Sequence, residues 1–137
     1  MPANTTPIFP NTPKIQFGDA TLLTANTAMD GTGTVTTLFT ASANGSRLDY
    51  LRFRSLGTNV ATVVRIFLNN GGSNAVAANN LLFYELTIAA TTASPAAALA
   101  DNMLMLDLPM QAGWKVLAVV GTTVAAGIVG TAVGADY

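Results

Sequence analysis

This chain carries too little charge for the surface it would have to show to water. Only 9% of its residues are charged and half are hydrophobic, against about a quarter charged in an ordinary soluble domain. The apolar residues are not gathered into helical stripes. They come in short stretches broken by turn residues: Asp30-Gly31, Asn44-Gly45, Gly57, Asn69-Asn70-Gly71-Gly72, Pro109 and Gly113. That punctuation is the pattern of an all-β sandwich or barrel. A β-domain this poor in charge implies that much of its surface meets other protein in the working state.

At 137 residues the chain fits one domain, long enough to bury roughly two-thirds of the surface its unfolded form exposes. Residues 1–13 stand apart in composition. Pro2, Pro7, Pro10 and Pro13 alternate with Asn and Thr, and proline fixes φ and holds its predecessor extended. The expectation is an extended N-terminal arm, with Ile8 and Phe9 as apolar anchors, followed by a β-domain over 14–137. The arm has neither the positive start nor the apolar middle of a secretory signal.

The formal charge of −1 supplies no electrostatic footprint for nucleic acid or an anionic membrane. Val116 to Val133 is free of charge and includes the GxxxG spacing of Gly130 and Gly134. Its Thr and β-branched content, with Gly121, Gly127 and Gly130, reads as two strands and a turn rather than as a membrane helix.

Nine strands are expected: Lys14–Phe17, Ala20–Ala25, Thr34–Ala41, Arg47–Leu56, Val60–Leu68, Leu81–Ala89, Met103–Leu108, Trp114–Val120 and Thr123–Val133. Ser94 to Ala100 is the one expected helical turn, with Ser94 as its cap and Pro95 at its first position. In the pair 60–68 and 81–88, Val60, Thr62, Val64, Ile66 and Leu68 share a face, as do Leu82, Tyr84, Leu86 and Ile88, which makes a core face. The opposite face carries Val63, Arg65 and Phe67, then Phe83 and Glu85. A register that sets Arg65 across from Glu85 also sets Phe67 across from Phe83. This second face is too apolar for water, so a subunit interface or a second layer of the same domain is expected to cover it. The connection 69–80 is long for a hairpin and is a candidate projecting loop. Gly121-Thr122 suits a two-residue turn joining the last two strands, which would bring Trp114 near Gly127 and Val129. In 47–56 the apolar phase changes between Leu48 and Leu51, so a bulge near Tyr50–Leu51 is expected. Arg52 and Arg54 then share a face, either ion-paired with Asp residues or forming a positive docking spot.

Catalytic chemistry is not indicated. The chain has no His and no Cys, which removes the commonest general base, the thiolate nucleophile and the softer metal ligands. Asp101 and Asp107 flank one short strand without marking a cleft. Asp30-Gly-Thr-Gly33 resembles the short aspartic-protease motif, but it occurs once and reads as a turn. No phosphate loop, metal cluster or dinucleotide fingerprint is present. The expectation is a protein without catalytic, cofactor or metal residues.

The proline-rich arm, the Ala/Thr/Asn/Gly-rich β-domain and the tail Leu108-Pro-Met-Gln-Ala-Gly-Trp-Lys-Val-Leu-Ala, Gly121-Thr-Thr-Val-Ala-Ala-Gly127 and Gly134-Ala-Asp-Tyr137 together resemble small virion proteins of tailed bacteriophages, in particular head decoration (cement) proteins. The resemblance implies a jelly-roll-like sandwich, a homotrimer, and binding to the major capsid protein on the capsid exterior. It makes Pro7, Ile8, Phe9 and Pro10 contact candidates for the shell or a neighbour. Val63, Arg65, Phe67, Phe83, Glu85 and Trp114 are the candidates for a subunit interface. The alternative expectation is a tail-associated or receptor-binding module whose loop 69–80 meets a host glycan.

Overall fold

The computed structural model describes residues 9–137, and it is a sandwich of two four-stranded antiparallel sheets. The strands are β1 (Thr12–Phe17), β2 (Thr36–Thr40), β3 (Ser46–Ser55), β4 (Thr62–Asn69), β5 (Asn80–Ile88), β6 (Asn102–Met110), β7 (Lys115–Val120) and β8 (Ile128–Asp136). The first sheet runs β1-β8-β3-β6 and the second β2-β7-β4-β5. Only β4 and β5, consecutive in the chain, pair with each other; every other connection passes from one sheet to the other. Among the described residues no helix is long and apolar enough to cross a membrane.

The core lies between the sheets. It is built by alternation: Leu48, Leu51 and Phe53 from β3, Val64 and Ile66 from β4, Val116, Ala118 and Val120 from β7, Ile128 and Ala132 from β8, with Leu38 and Phe39 from β2. The phase change in β3 is a bulge, as its pattern requires. Leu48 faces Gly134 on β8 and Tyr50 faces Val133, so Asp49 is the extra residue. The bulge is what lets Leu48 and Leu51, three apart, both point inward.

Several elements differ from expectation. Residues 20–25 make only isolated bridges, Leu22 to Ile128 and Ala25 to Val120, and form no strand. Residues 94–100 are an exposed bend rather than a helical turn, with the Ala96 amide donating to Ser94 Oγ. β1 begins at Thr12 and pairs with β8 from there, so the sheet takes in Pro13 from the expected arm. The largest difference is that β7 and β8 do not form a hairpin. Each lies in a different sheet, and residues 121–127 cross between them. The reason is in β7 itself. It is buried on both faces and lies between β2 and β4, so neither of its edges is free for β8.

One asparagine holds that crossover in place. Asn59 is buried; its Nδ2 donates to the Gly127 carbonyl at 2.9 Å and its Oδ1 accepts from the Ala126 amide at 2.7 Å. Its backbone pairs with Thr91. Asn59→Ala leaves the Ala126 amide without a partner, while the Gly127 carbonyl keeps the Leu56 amide. One orphaned buried group costs about 1–3 kcal/mol, and a loss in that range is expected, read as a lowered urea midpoint at unchanged m-value.

Candidate interaction surface

The two sheets present very different outer faces. On the β2-β7-β4-β5 sheet the outer face is largely closed by the protein itself. Phe67, Leu117 and Val119 are buried there in a second apolar cluster with Val35 and Leu82. The segments bordering it are held by asparagine. Asn74 Nδ2 donates to the carbonyls of Gly31 and Gly33, and Asn80 Nδ2 to those of Asp30 and Asn74. Asn26 Nδ2 ties Thr32 and Thr34. Residues 69–80 therefore do not project. They fold back, with a 3-10 turn at Ala77–Asn79 and Asn79 bonded to Asn70 and Ser73, and dock on the 30–33 turn. Gly31 takes part because its φ of +75° and the contact of Asn80 leave no room for a side chain. Asn74 against the Gly31 and Gly33 carbonyls satisfies backbone that the sheet leaves over, which is the usual fate of buried polar groups.

This accounts for most of the sequence-expected interface residues. Arg65 does face Glu85, at 2.8 Å. Phe67 does not face Phe83: it pairs with Leu82, because β5 bulges between Leu82 and Tyr84 and leaves Phe83 as the extra residue. Phe67 is wholly buried inside the protomer and is not available as a contact. The second layer of the same domain is what covers it. Val63 is half-buried and Phe83 is 36% exposed, at the β5 margin. Trp114 packs against the main core from the turn before β7, its carbonyl accepting the Ala41 amide, and not near Gly127, whose neighbours are Thr21 and Leu23. Of the arm candidates, Pro7 and Ile8 lie outside the described residues; Phe9 is exposed and Pro10 half-buried.

The β1-β8-β3-β6 sheet is the open one. Its outer face follows the strand alternation: Ile15 and Phe17 from β1, Val129, Thr131 and Val133 from β8, Tyr50 and Arg52 from β3, Met103 and Met105 from β6. The register lines these up into two rows across the sheet. One is Ile15, Val133, Tyr50, Met105; the next is Phe17, Thr131, Arg52, Met103. Ile15, Phe17 and Met105 are each about 70% exposed. The sequence signal for this face was available. β6 reads Asn-Met-Leu-Met-Leu-Asp-Leu-Pro-Met, apolar in both phases, as β4 is.

Charges sit at the two ends of this face. At one end Arg47 pairs with Asp49 at 2.7 Å and lies 3.5 Å from Asp107. At the other, Asp101 receives Arg52 at 2.9 Å, with Arg54 at 3.9 Å. The hydrogen bond from Arg52 holds the Asp101 carboxyl below the usual carboxylate range, and Asp49 raises the Arg47 guanidinium. Arg52 and Arg54 are thus ion-paired with a single aspartate, which leaves one positive charge over.

The margins of the sandwich are guarded by side chains. Between β1 and β2 lies an open groove of about 500 Å³ lined by Ile15, Phe17, Phe39, Thr40 and Lys115 among others. There Lys14 Nζ donates to the Thr40 carbonyl, Gln16 accepts the Thr40 amide and Asp19 the Thr37 amide. These occupy the β2 edge and block strand addition. Among the described residues no group of three or more metal-ligating side chains is present. No family model, curated protein or solved structure matches this chain.

Proposed function

We propose that this chain is a structural virion protein, a capsid decoration module that binds the major capsid protein on the outer surface of a tailed-bacteriophage head and stabilises the shell as a homo-oligomer. The observation that carries the reading is the open outer face of the β1-β8-β3-β6 sheet. It is a largely apolar face whose second row includes Arg52, paired with Asp101, and whose other charges lie at its ends, and such faces mark contact with other protein. Its side chains suit contact rather than chemistry.

The wiring supports the same reading. Strand orders 1-8-3-6 and 2-7-4-5 are what an eight-stranded jelly roll has when its two sheets exchange strands at each crossing, an architecture used by viral capsid and lectin domains. That is an analogy of fold, and the function rests on the surface. The resemblance of the tail sequence adds the capsid exterior as the place and a homotrimer as the implied assembly. The segment before β1 would contribute the shell contact through Pro7, Ile8, Phe9 and Pro10.

The test is electron microscopy of purified phage heads that lack the protein, incubated with gold-labelled full-length chain. Regular decoration of the outer surface at saturating, stoichiometric occupancy is expected. Gold confined to tails, or no labelling above that of a control protein, overturns the reading.

A further inference from the structure

The charges that close the ends of the open face are unequal. Arg47 stands against two carboxylates, Asp49 and Asp107, so that end is net −1. Arg52 and Arg54 share the single carboxylate of Asp101, so the other end is net +1. Between them lie the rows Ile15, Val133, Tyr50, Met105 and Phe17, Thr131, Arg52, Met103; the one charge in them, on Arg52, is directed to Asp101. A face that is apolar in the middle and opposite in sign at its ends is complementary to itself when turned end for end. We propose that two copies of this chain pair through the outer faces of their β1-β8-β3-β6 sheets, about a two-fold axis that lies across the strands.

In that arrangement the rows of one copy cover the rows of the other, and the Arg54 end of each meets the Asp107 end of its mate. Arg54 and Asp107 are the groups with charge to spare: Arg54 is the looser partner of Asp101, and the Asp107 side chain is 85% exposed. The area suffices. Four strands about 4.8 Å apart, six, nine, ten and nine residues long in sheet order, present a face of roughly 540 Å². Two such faces remove about 1,100 Å² or more, above the ~1,000 Å² that a specific interface requires. An isologous contact of this kind closes on itself and leaves no second sticky face, as two-fold oligomers do. A nucleic acid or an anionic lipid would not suit a face whose charges sum to zero.

The inference does not rest on the decoration reading, and the tests separate them. Light scattering on the purified full-length chain is expected to give the mass of two 14.1 kDa chains, or of six if a threefold contact is also made. Met105→Glu, at an exposed position, is expected to halve that number at unchanged circular dichroism. Arg54→Glu, which turns both ends net negative, is expected to weaken the pair at least tenfold. Leu81→Glu, exposed on β5 of the other sheet, is the control and leaves the mass unchanged. A wild-type mass of one or three copies overturns the pairing, even if the same protein labels phage heads. So does an even mass that survives Met105→Glu and Arg54→Glu together.

Discussion

Phe53→Ala is expected to destabilise the protein by about 3–5 kcal/mol, the range for removing a fully buried phenylalanine. Phe53 has no exposed surface and sits on β3, an inner strand of its sheet. Its register partner on β8 is Gly130, and a Cβ built on Gly130 would come within 3.0 Å of the Phe53 ring. The ring therefore lies on bare backbone, roofed by Leu38, which also crowds Gly130. Both neighbours are fixed by strands on either side, so the site has little freedom to collapse into the cavity. Against a total stability of about 5–15 kcal/mol, this loss is a large fraction. Urea unfolding by fluorescence checks it. Phe83→Ala, at the partly exposed β5 bulge, is the matched control, and a Phe53→Ala midpoint no lower than that of the control would contradict this account of the core.

Gly134→Ala is expected to cost at least about 3 kcal/mol, at or beyond the upper end for overpacking. Gly134 pairs with Lys14 on β1 and with Leu48 on β3. A Cβ there would overlap the Arg47 carbonyl oxygen and press on the carbonyl carbon of Arg47 and the Cα of Leu48. These are backbone atoms of a central strand beside the Asp49 bulge, and no rotamer change relieves them. Gly113→Ala separates sterics from conformation. Gly113 has φ +74° with nothing within 4 Å of a built Cβ, so only the left-handed strain of about 1–2 kcal/mol applies. The midpoint of Gly134→Ala should fall clearly below that of Gly113→Ala. Equal midpoints would mean that the β3–β8 approach is looser than it looks.

How much of this was legible in the sequence follows from what each signal reports. The all-β class was legible because turn residues and alternation are local. So was the β3 bulge: two phases of alternation within 47–56 cannot both face one core without an extra residue, and Asp49 is that residue. The Arg65–Glu85 pairing was legible because charge and alternation agreed. The Phe67–Phe83 pairing failed two residues further on, since a bulge in β5 leaves no compositional trace among Leu82, Phe83 and Tyr84, all apolar or aromatic.

The hairpin of β7 and β8 failed for a different reason. Gly121-Thr122 fits a tight turn, and nothing local says that both edges of β7 are already taken by β2 and β4. Apolarity in both phases of β4 left open a subunit interface or a second layer of the same domain, and Phe67, Leu117 and Val119 are buried within the domain. It was not read in β6, where the described residues leave Met103 about half and Met105 about two-thirds exposed. Composition says that a second face is apolar. Only topology says whether the chain returns to cover it.

That topology has a consequence for how the molecule comes into being. The strand nearest the C-terminus, β8, is an inner member of the first sheet, and it is the only partner of β1. During synthesis β1 therefore waits for almost the whole chain before it gains a single ladder hydrogen bond, and β3 lacks one of its two flanks for the same time. Only β4 and β5 can pair early. Long-range pairing of this kind is slow, because loop closure must be completed before contacts reward it. In that interval the inner residues of β3, Leu48, Leu51 and Phe53, lack their β8 neighbours, and exposed core of this kind is the condition in which nascent β-chains aggregate. Few charges are present to keep such chains apart, so slow docking of the nine-residue β8 favours aggregation over folding.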